Sequence, residues 1–376
     1  MLPDYSRQMS LKEIGAAGQA TLARSRVLVV GAGGLGVPVL QYLAGAGVGS
    51  LGVVDDDELD ASNLHRQPLY ALADAGRLKV ELAAEALARL NPAVQVETHA
   101  VRLTADNALA LVGRYDLVVD CSDNFRSKFL VNDAAVLARK PAVFGSVYQY
   151  EGQLQVYKPE NTHACLRCLW PEATADGLVG NCAVAGVLGP VPGALGAMQS
   201  LLTLKILLGI QGQLAGTLWL LDFMNFTSLE LKAPRRAACR APLCTRVTRL
   251  GGGPADAVLE IDLPSIAAAR EVGRELIDIR NHDEVAARPL PALHVPMARL
   301  LAAPEEHLAP DRHYLLVCAS GGRSLAATRV LTARGFDVRS LAGGLRSFPD
   351  SIDGSAQVSH AGEESRPAES SHAPAD

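Results

Sequence analysis

A run of five residues, Arg26-Val-Leu-Val-Val30, leads straight into Gly31-Ala-Gly-Gly-Leu-Gly36, and an apolar helical stretch from Val37 to Gly47 follows without a break. Few folds accept that order. The β-branched apolar run reads as a buried strand, and Gly31, Gly33 and Gly36 let the backbone come close to a ligand. The helix behind them aims its N-terminal N–H groups and the positive end of its dipole at that ligand, which favours phosphate. A second strand, Leu51-Gly-Val-Val-Asp55, ends on a carboxylate placed to accept from a ribose hydroxyl. The turn alone does not separate a dinucleotide from ATP, and a glycine turn that only tightens strand-to-helix packing has the same spelling. No GxxxxGK[ST] occurs, so a P-loop ATPase is excluded.

The alternation continues. A helix over Leu78–Leu90, a strand over Val94–Leu103 and a strand Tyr115–Asp120 running into a polar loop complete a doubly wound pattern. From Val143 to Pro159 the text alternates like antiparallel strands. A Gly/Pro-rich loop over 180–196 then leads into a helix at 197–209, and strands close the unit over Trp219–Lys232. Further strands at Glu275–Arg280, Tyr314–Cys318 and Asp337–Gly344, with a helix at Ser324–Phe336, make a second unit. The expected fold is α/β: a Rossmann-like doubly wound nucleotide-binding domain over residues 1–245, a linker at 246–257, a smaller α/β domain over 258–350, and a disordered Ser/Ala/Glu/Pro-rich tail over 351–376.

Composition removes other classes. With 376 residues, 49% hydrophobic and 20% charged, the chain can bury two cores. A net charge of −5 without a basic stripe, and only 5% aromatics, argue against nucleic-acid binding. The most apolar stretch, Ala183 to Ile210, is interrupted by Pro190, Pro192, Gln199 and Lys205, so no membrane span is expected. The N-terminus lacks the layout of a secretory signal, and seven cysteines, two of them in a CxxC, favour metal binding or catalysis over disulfides. The expectation is a cytoplasmic enzyme.

Asn63, Arg66 and Lys79 follow the acidic strand end within 25 residues, and Arg7 lies upstream. Cations converging on one site suit a triphosphate, whose charge must be neutralised before an anion can attack it. Each alone also reads as a solvated surface residue. Asp123, in Asp120-Cys-Ser-Asp123-Asn124, sits where a doubly wound sheet places its ligand and can hold Mg²⁺ against phosphate oxygens; the same residue also suits an N-cap. Together, Tyr5-Ser-Arg-Gln8, GAGGLG, Ser62-Asn-Leu-His-Arg-Gln67, Lys79 and DCSDN resemble the MoeB/ThiF family, bacterial relatives of the ubiquitin-activating enzymes. The resemblance covers roughly residues 1–245. It implies ATP-dependent adenylation of the C-terminal glycine of a ubiquitin-like sulfur-carrier protein ending in Gly-Gly. By position, Gly34, Asp55, Ser62, Asn63, Arg66, Lys79, Asp123 and Asn124 would contact ATP or its Mg²⁺. Arg7 would reach the ATP of the other subunit of a homodimer.

The cysteines divide by neighbourhood. Cys165-Leu-Arg-Cys168 is half of a zinc site, and Cys239 with Cys244 is the candidate other half, giving four thiolates for structural Zn²⁺. Related family members use two CxxC pairs, whereas the second pair here has four intervening residues. Cys182, in the Gly/Pro-rich loop, corresponds to a candidate for covalent linkage to the activated carrier; the other reading is a small apolar residue in a tight loop. Cys121 packs as a small hydrophobe. Cys318 ends a strand and precedes Ala-Ser-Gly-Gly-Arg323-Ser324, so the loop and the following helix can stabilise a thiolate or persulfide, with Arg323 adding charge and Ser324 as N-cap.

That CxxGxRS loop, with its flanking strands, resembles the active-site loop of rhodanese domains over about residues 258–350, although the family's usual Gly-His-Ile turn is replaced by AARPLPALHVP. The combined expectation is adenylation followed by sulfur transfer from a Cys318 persulfide to give a carrier thiocarboxylate for molybdopterin. Thiamine, cysteine and tRNA thiolation are alternatives, and thiosulfate or a cysteine desulfurase is the donor. A scaffold that binds nucleotide and carrier without turnover, and a nicotinamide oxidoreductase, are the competing readings.

Overall fold

The structure is a computed structural model and describes residues 3–159, 164–170, 186–210, 215–233, 235, 247, 250, 259–263, 265, 266, 268–319 and 321–347. Strands β1 (Arg26–Val30), β2 (Ser50–Val54), β3 (Gln95–His99), β4 (Leu117–Asp120), β5 (Ala142–Tyr148), β6 (Glu151–Tyr157), β7 (Thr217–Asp222) and β8 (Thr227–Lys232) form one sheet in the order β3-β2-β1-β4-β5-β6-β7-β8. The first five are parallel, and β5 to β8 pair antiparallel. Strand direction explains the apolar text of β1. Val27 and Val29 enter one core with residues of the Gly36–Gly45 and Pro190–Leu207 helices, while Leu28 and Val30 enter the other with the Phe125–Ala138 helix. A strand covered on both faces has no solvent side on which to place polar residues.

Two expectations change. The strand expected over Val94–Leu103 stops at His99, because β3 is an edge strand and its last paired residue is His99, opposite Val54. The Gly/Pro-rich text before Ala197 is helical from Pro190 onward. The first turn of a helix has no intrahelical use for its N–H groups, so prolines cost little there and preset φ. Leu195 and Leu202 of this helix are buried in the core, and Gln199 donates to the Asp120 carbonyl at 2.8 Å.

The second unit is a parallel sheet of β9 (Glu260–Ile261), β10 (Glu275–Asp278), β11 (Leu293–His294), β12 (His313–Val317) and β13 (Asp337–Leu341), in the order β11-β10-β12-β13-β9. Its central strand again alternates, Tyr314 and Leu316 into one core, Leu315 and Val317 into the other. Apart from Val247 and Leu250, the expected linker at 246–257 lies outside the described residues, as does the tail from 351. Among the described residues no helix is long and apolar enough to cross a membrane.

Candidate active sites

In the large sheet β1 has β2 on one side and β4 on the other, so the chain leaves in opposite directions around the carboxyl end of β1. That crevice is where doubly wound sheets bind ligands. Gly31 turns there with φ +98°, a conformation L side chains avoid. Asp55 accepts from Ala32 N at 2.7 Å and from Asp57 N at 2.8 Å, so the strand-end carboxylate is tied to the glycine turn. Burial pushes its pKa up, and this outweighs the opposing effect of Lys79 and the two N–H donors. Tyr70 donates its hydroxyl to the Ala32 carbonyl at 2.8 Å, which braces the turn from the other side.

The polar segment after β2 coils into a short 3₁₀ turn, Ala61–Asn63, capped by Asp60, which accepts from Ser62 N at 2.7 Å. Asn63 is buried, whereas Ser62 is exposed. Arg66 is half-buried and donates to the Ser62 carbonyl at 3.0 Å. Lys79 opens the Lys79–Leu90 helix, is 6% exposed, and pairs with Asp57 at 2.9 Å. A Cβ placed on Gly34 would stand 3.5 Å from the Arg66 carbonyl, so the Arg66 backbone and the glycine turn are neighbours. Gln67 was not singled out from sequence. It is buried, its Nε2 lies 3.5 Å from where a Cβ on Gly33 would stand, and its Oε1 has no partner among the described residues. The only signal for it was its place at the end of SNLHRQ.

The loop after β4 separates two carboxylates that look alike in sequence. Asp120 is fully buried, ion-paired with Lys128, and accepts from Ser122 Oγ at 2.6 Å. Lys128 also donates to the Gly145 carbonyl at 2.7 Å, so this pair ties β4, β5 and the Phe125–Ala138 helix together. Asp123 is exposed. It is not the N-cap of that helix: Asn124 is, accepting from Ser127 N at 2.8 Å. Asp55, Asp56 and Asp57 offer oxygens within 4.8 Å of one another. Asp55 is committed to two backbone donors and Asp57 to Lys79, whereas exposed Asp123 retains the donor chemistry that Mg²⁺ requires. Cys121 is buried, and burial pushes its thiol pKa well up, in keeping with a packing role.

Arg7 lies in the short helix Ser6–Met9 and is exposed. Its neighbour Gln8 donates to the Ala46 carbonyl at 2.8 Å, and Tyr5 accepts from Asn91 at 2.8 Å. Ala46 lies at the far end of the Gly36–Gly45 helix from the glycine turn, about 15 Å for ten residues. This chain therefore does not bring its own Arg7 to its glycine turn.

Cys165 caps the four-residue helix Leu166–Leu169 and accepts at its carbonyl from Cys168 N at 2.9 Å, and both cysteines are buried. Two thiols on one turn suit half of a tetrahedral site. Cys239, Cys244 and Cys182 lie outside the described residues.

In the second unit Cys318 follows β12 and is fully buried. Gly321, at φ +82°, occupies the N-cap of the Gly322–Ala333 helix. Ser324, expected as the cap, lies one turn inside. Its N–H donates to Cys318 Sγ at 3.4 Å, its hydroxyl lies 3.5 Å from the sulfur, and Ser340 donates to that hydroxyl at 2.9 Å. The sulfur therefore faces a helix N-terminus through Ser324. Arg323 does not stand alone beside it. Glu284 grips both terminal nitrogens of its guanidinium, one at 2.7 Å, and this holds the Glu284 pKa down. Arg280 pairs with Asp278 in the interior at 2.7 Å and donates to the Glu284 carbonyl at 3.1 Å, anchoring the turn that carries Glu284. Glu284 was missed because 39 residues separate it from Arg323.

A nucleotide cradle at a doubly wound switch point, followed by a cysteine at a helix N-terminus in a second parallel sheet, defines a two-domain class. Residues 5–241 match the ThiF family and residues 264–350 a rhodanese-like domain. The chain belongs to the ThiF family and carries a rhodanese-like domain behind it. It is 49% identical over 247 residues to the sulfur carrier protein adenylyltransferase of Thermus thermophilus, covering 65% of this chain and 90% of that one. It is 41% identical to the adenylyltransferase and sulfurtransferase MOCS3 of Anopheles gambiae, covering 93% and 87%. With the probable adenylyltransferase/sulfurtransferase MoeZ of Mycobacterium tuberculosis it shares 37% identity, covering 91% of each. Among solved structures, E. coli MccB with MccA-N7isoASN has a TM-score of 0.55 at 21% identity, covering 65% and 73%, and E. coli MccB with ATP has 0.53 at 20%, covering 62% and 70%. These two share the fold.

Proposed function

We propose that the protein adenylates the C-terminal glycine of a ubiquitin-like sulfur carrier and then delivers sulfur from Cys318 to make the thiocarboxylate. One observation carries the reading: a ThiF-type nucleotide cradle and a rhodanese-type cysteine, its sulfur 3.4 Å from a helix N-terminal N–H, lie on one chain. The relatives named for both activities cover most of the chain and support it.

In the first step the glycine turn and the N-terminus of the Gly36–Gly45 helix receive phosphate oxygens, and Asp55 accepts from the ribose. Asn63, Arg66 and Lys79 offset the negative charge that grows on pyrophosphate as the carboxylate displaces it from the α-phosphorus. Asp123, beside Asn124, would hold Mg²⁺, which screens the phosphates. Arg7 lies on the short helix anchored by Gln8 at Ala46, at the other end of the Gly36–Gly45 helix from its own chain's cradle, which favours a homodimer in which it reaches the other subunit's ATP. No protein nucleophile is needed, so the catalysis is positional.

In the second step a Cys318 persulfide anion, loaded from thiosulfate or a cysteine desulfurase, attacks the adenylated carbonyl and expels AMP. A thiolate then attacks the inner sulfur. That releases the thiocarboxylate and leaves a disulfide to Cys318, which a thiol reductant reopens. A small-molecule thiol supplies that thiolate, and Cys182 is the candidate for covalent linkage to the carrier, its thiolate attacking the acyl-adenylate in place of the persulfide. Cys165 and Cys168, with Cys239 and Cys244, would bind structural Zn²⁺, so metal analysis should find about one zinc per chain. The carrier docks on the sheet face of half-buried Leu220 and exposed Leu229 and Leu231, and the pathway served is that of molybdopterin.

The test is carrier-dependent ATP–pyrophosphate exchange with small proteins ending in Gly-Gly, offered singly. Exchange with one carrier, lost on deletion of its terminal glycine, is the expected result and names the pathway. Absence of exchange with every carrier, from protein that binds ATP, overturns the reading.

A further inference from the structure

Gln155, in the middle of β6, is only 3% exposed, yet neither its Nε2 nor its Oε1 has a hydrogen-bond partner among the described residues. Buried side-chain amides are almost always paired, so an amide lacking both partners calls for an explanation. Register places it. Gln155 stands opposite Phe144 of β5 and Leu218 of β7, so all three share one face of the sheet. A recess lies on that face, walled by Phe125, Phe129, Phe144, Trp170 and Leu218, with Gln155 in its lining.

The walls limit what can enter. They are apolar, and the one cation there, Lys128, is spent on Asp120 and the Gly145 carbonyl, so the recess offers no charge to a phosphate or free carboxylate. Ser146 and Gln153 also line it but are half-buried; the buried polar group without a partner among the described residues is Gln155, which offers a donor and an acceptor on one planar group. An extended residue presents the complement, since its own N–H and C=O point to the same side of the strand and meet a carboxamide in its plane through two hydrogen bonds. Position narrows the choice further. Phe125 is two residues beyond Asp123, so the recess adjoins the loop assigned to the nucleotide. On its other side the same sheet face continues through Gln153, opposite Leu220, and on to Leu229, which is exposed. A protein docked on that strip would pass its extended terminus over Gln155 on the way to Asp123.

We propose that Gln155 determines specificity for the protein substrate by pairing its carboxamide with the main-chain N–H and C=O of one residue in the substrate's extended C-terminal tail. The inference rests on the adenylation reading above. It makes Gln155, which has no partner among the described residues, a group whose hydrogen bonds are made in the complex, at a cost to the stability of the unbound fold.

The experiment is Gln155→Met in the full-length protein, because Met matches the side chain in length without polar atoms. Three quantities are compared with the parent. They are the Kd for a ubiquitin-like sulfur carrier ending in Gly-Gly, the Kd for ATP without carrier, and Tm. Losing two hydrogen bonds should weaken carrier binding roughly tenfold or more, with ATP affinity within about twofold. Removing an unsatisfied amide should leave Tm unchanged or raise it by a few degrees. The carrier truncated by its last Gly-Gly should lose most of the difference between the two proteins. Unchanged carrier affinity overturns the proposal. So does weaker binding accompanied by a lower Tm, which would assign Gln155 to the fold. If the parent protein supports no carrier-dependent exchange, both this inference and the adenylation reading fall; if the parent exchanges and the variant binds carrier equally, only this inference does.

Discussion

Two glycines two positions apart in one motif should respond to alanine in opposite ways. Gly31 has φ +98°, and a Cβ there would stand 2.8 Å from the Cys121 carbonyl oxygen. Gly31→Ala must hold an unfavourable conformation and push back the backbone that leads to Asp123. Such strain costs about 1–3 kcal/mol, and 2 kcal/mol corresponds to a fall in Tm of roughly 4–8 °C for a domain of this size. At Gly33 the nearest atom to a Cβ is Gln67 Nε2 at 3.5 Å, an ordinary contact, and φ is not in the left-handed region. Gly33→Ala should therefore fold with Tm unchanged or slightly raised. The methyl would instead stand between the turn and a phosphate. Losing one hydrogen bond to a charged group, about 1.5–3 kcal/mol, would weaken ATP binding roughly 10- to 100-fold. Thermal melts read the first quantity and isothermal calorimetry with ATP the second. A Gly33→Ala protein that binds ATP like the parent would refute the phosphate cradle, and equal falls in Tm for both variants would refute the distinction drawn from φ.

Lys128→Met leaves the fully buried Asp120 carboxylate without its cation and should destabilise the protein by about 3–5 kcal/mol, read from denaturant midpoints; a further Asp120→Asn change should restore part of the loss. Glu284 has a lowered pKa, chiefly through its hydrogen bonds to Arg323, so its stabilisation is complete above its unfolded value near 4.5 and is lost as pH falls through the folded value. Glu284→Gln should therefore flatten the dependence of Tm on pH below about 4.5, and a parent-like slope in the variant would contradict the assignment. Cys318→Ala should abolish thiocarboxylate formation, seen by mass spectrometry of the carrier, and spare ATP–pyrophosphate exchange; equal loss of both would end the division of labour between the two units.

Local motifs were legible wherever a function needs neighbours in sequence. A strand, a glycine turn and a helix N-terminus are consecutive, so GAGGLG pointed to a candidate nucleotide site, and Cys318 with its loop pointed to a second candidate site for the same reason. Roles that depend on which of two adjacent polar residues turns inward were not legible. Asn124 and not Asp123 caps its helix, and Gly321 and not Ser324 caps the other, because a single rotation of φ and ψ decides which side chain meets the first free N–H. The helical start at Pro190 was hidden because proline forbids an interior turn yet suits a first one, and letters alone do not say which turn it is.

Pairs that join distant elements belonged to the tertiary structure entirely. Glu284 grips Arg323 across 39 residues, and Gln199 reaches the Asp120 carbonyl across 79. Gln155 is informative only because nothing described pairs with it, and that is a property of the packed sheet. Sequence by itself determined the α/β class and the two enzyme domains, since backbone geometry and helix dipoles act over one or two turns. Register and packing decided which carboxylates are buried struts, as Asp120 is, and which stay exposed, as Asp123 does, because burial depends on what the far side of the sheet brings into contact.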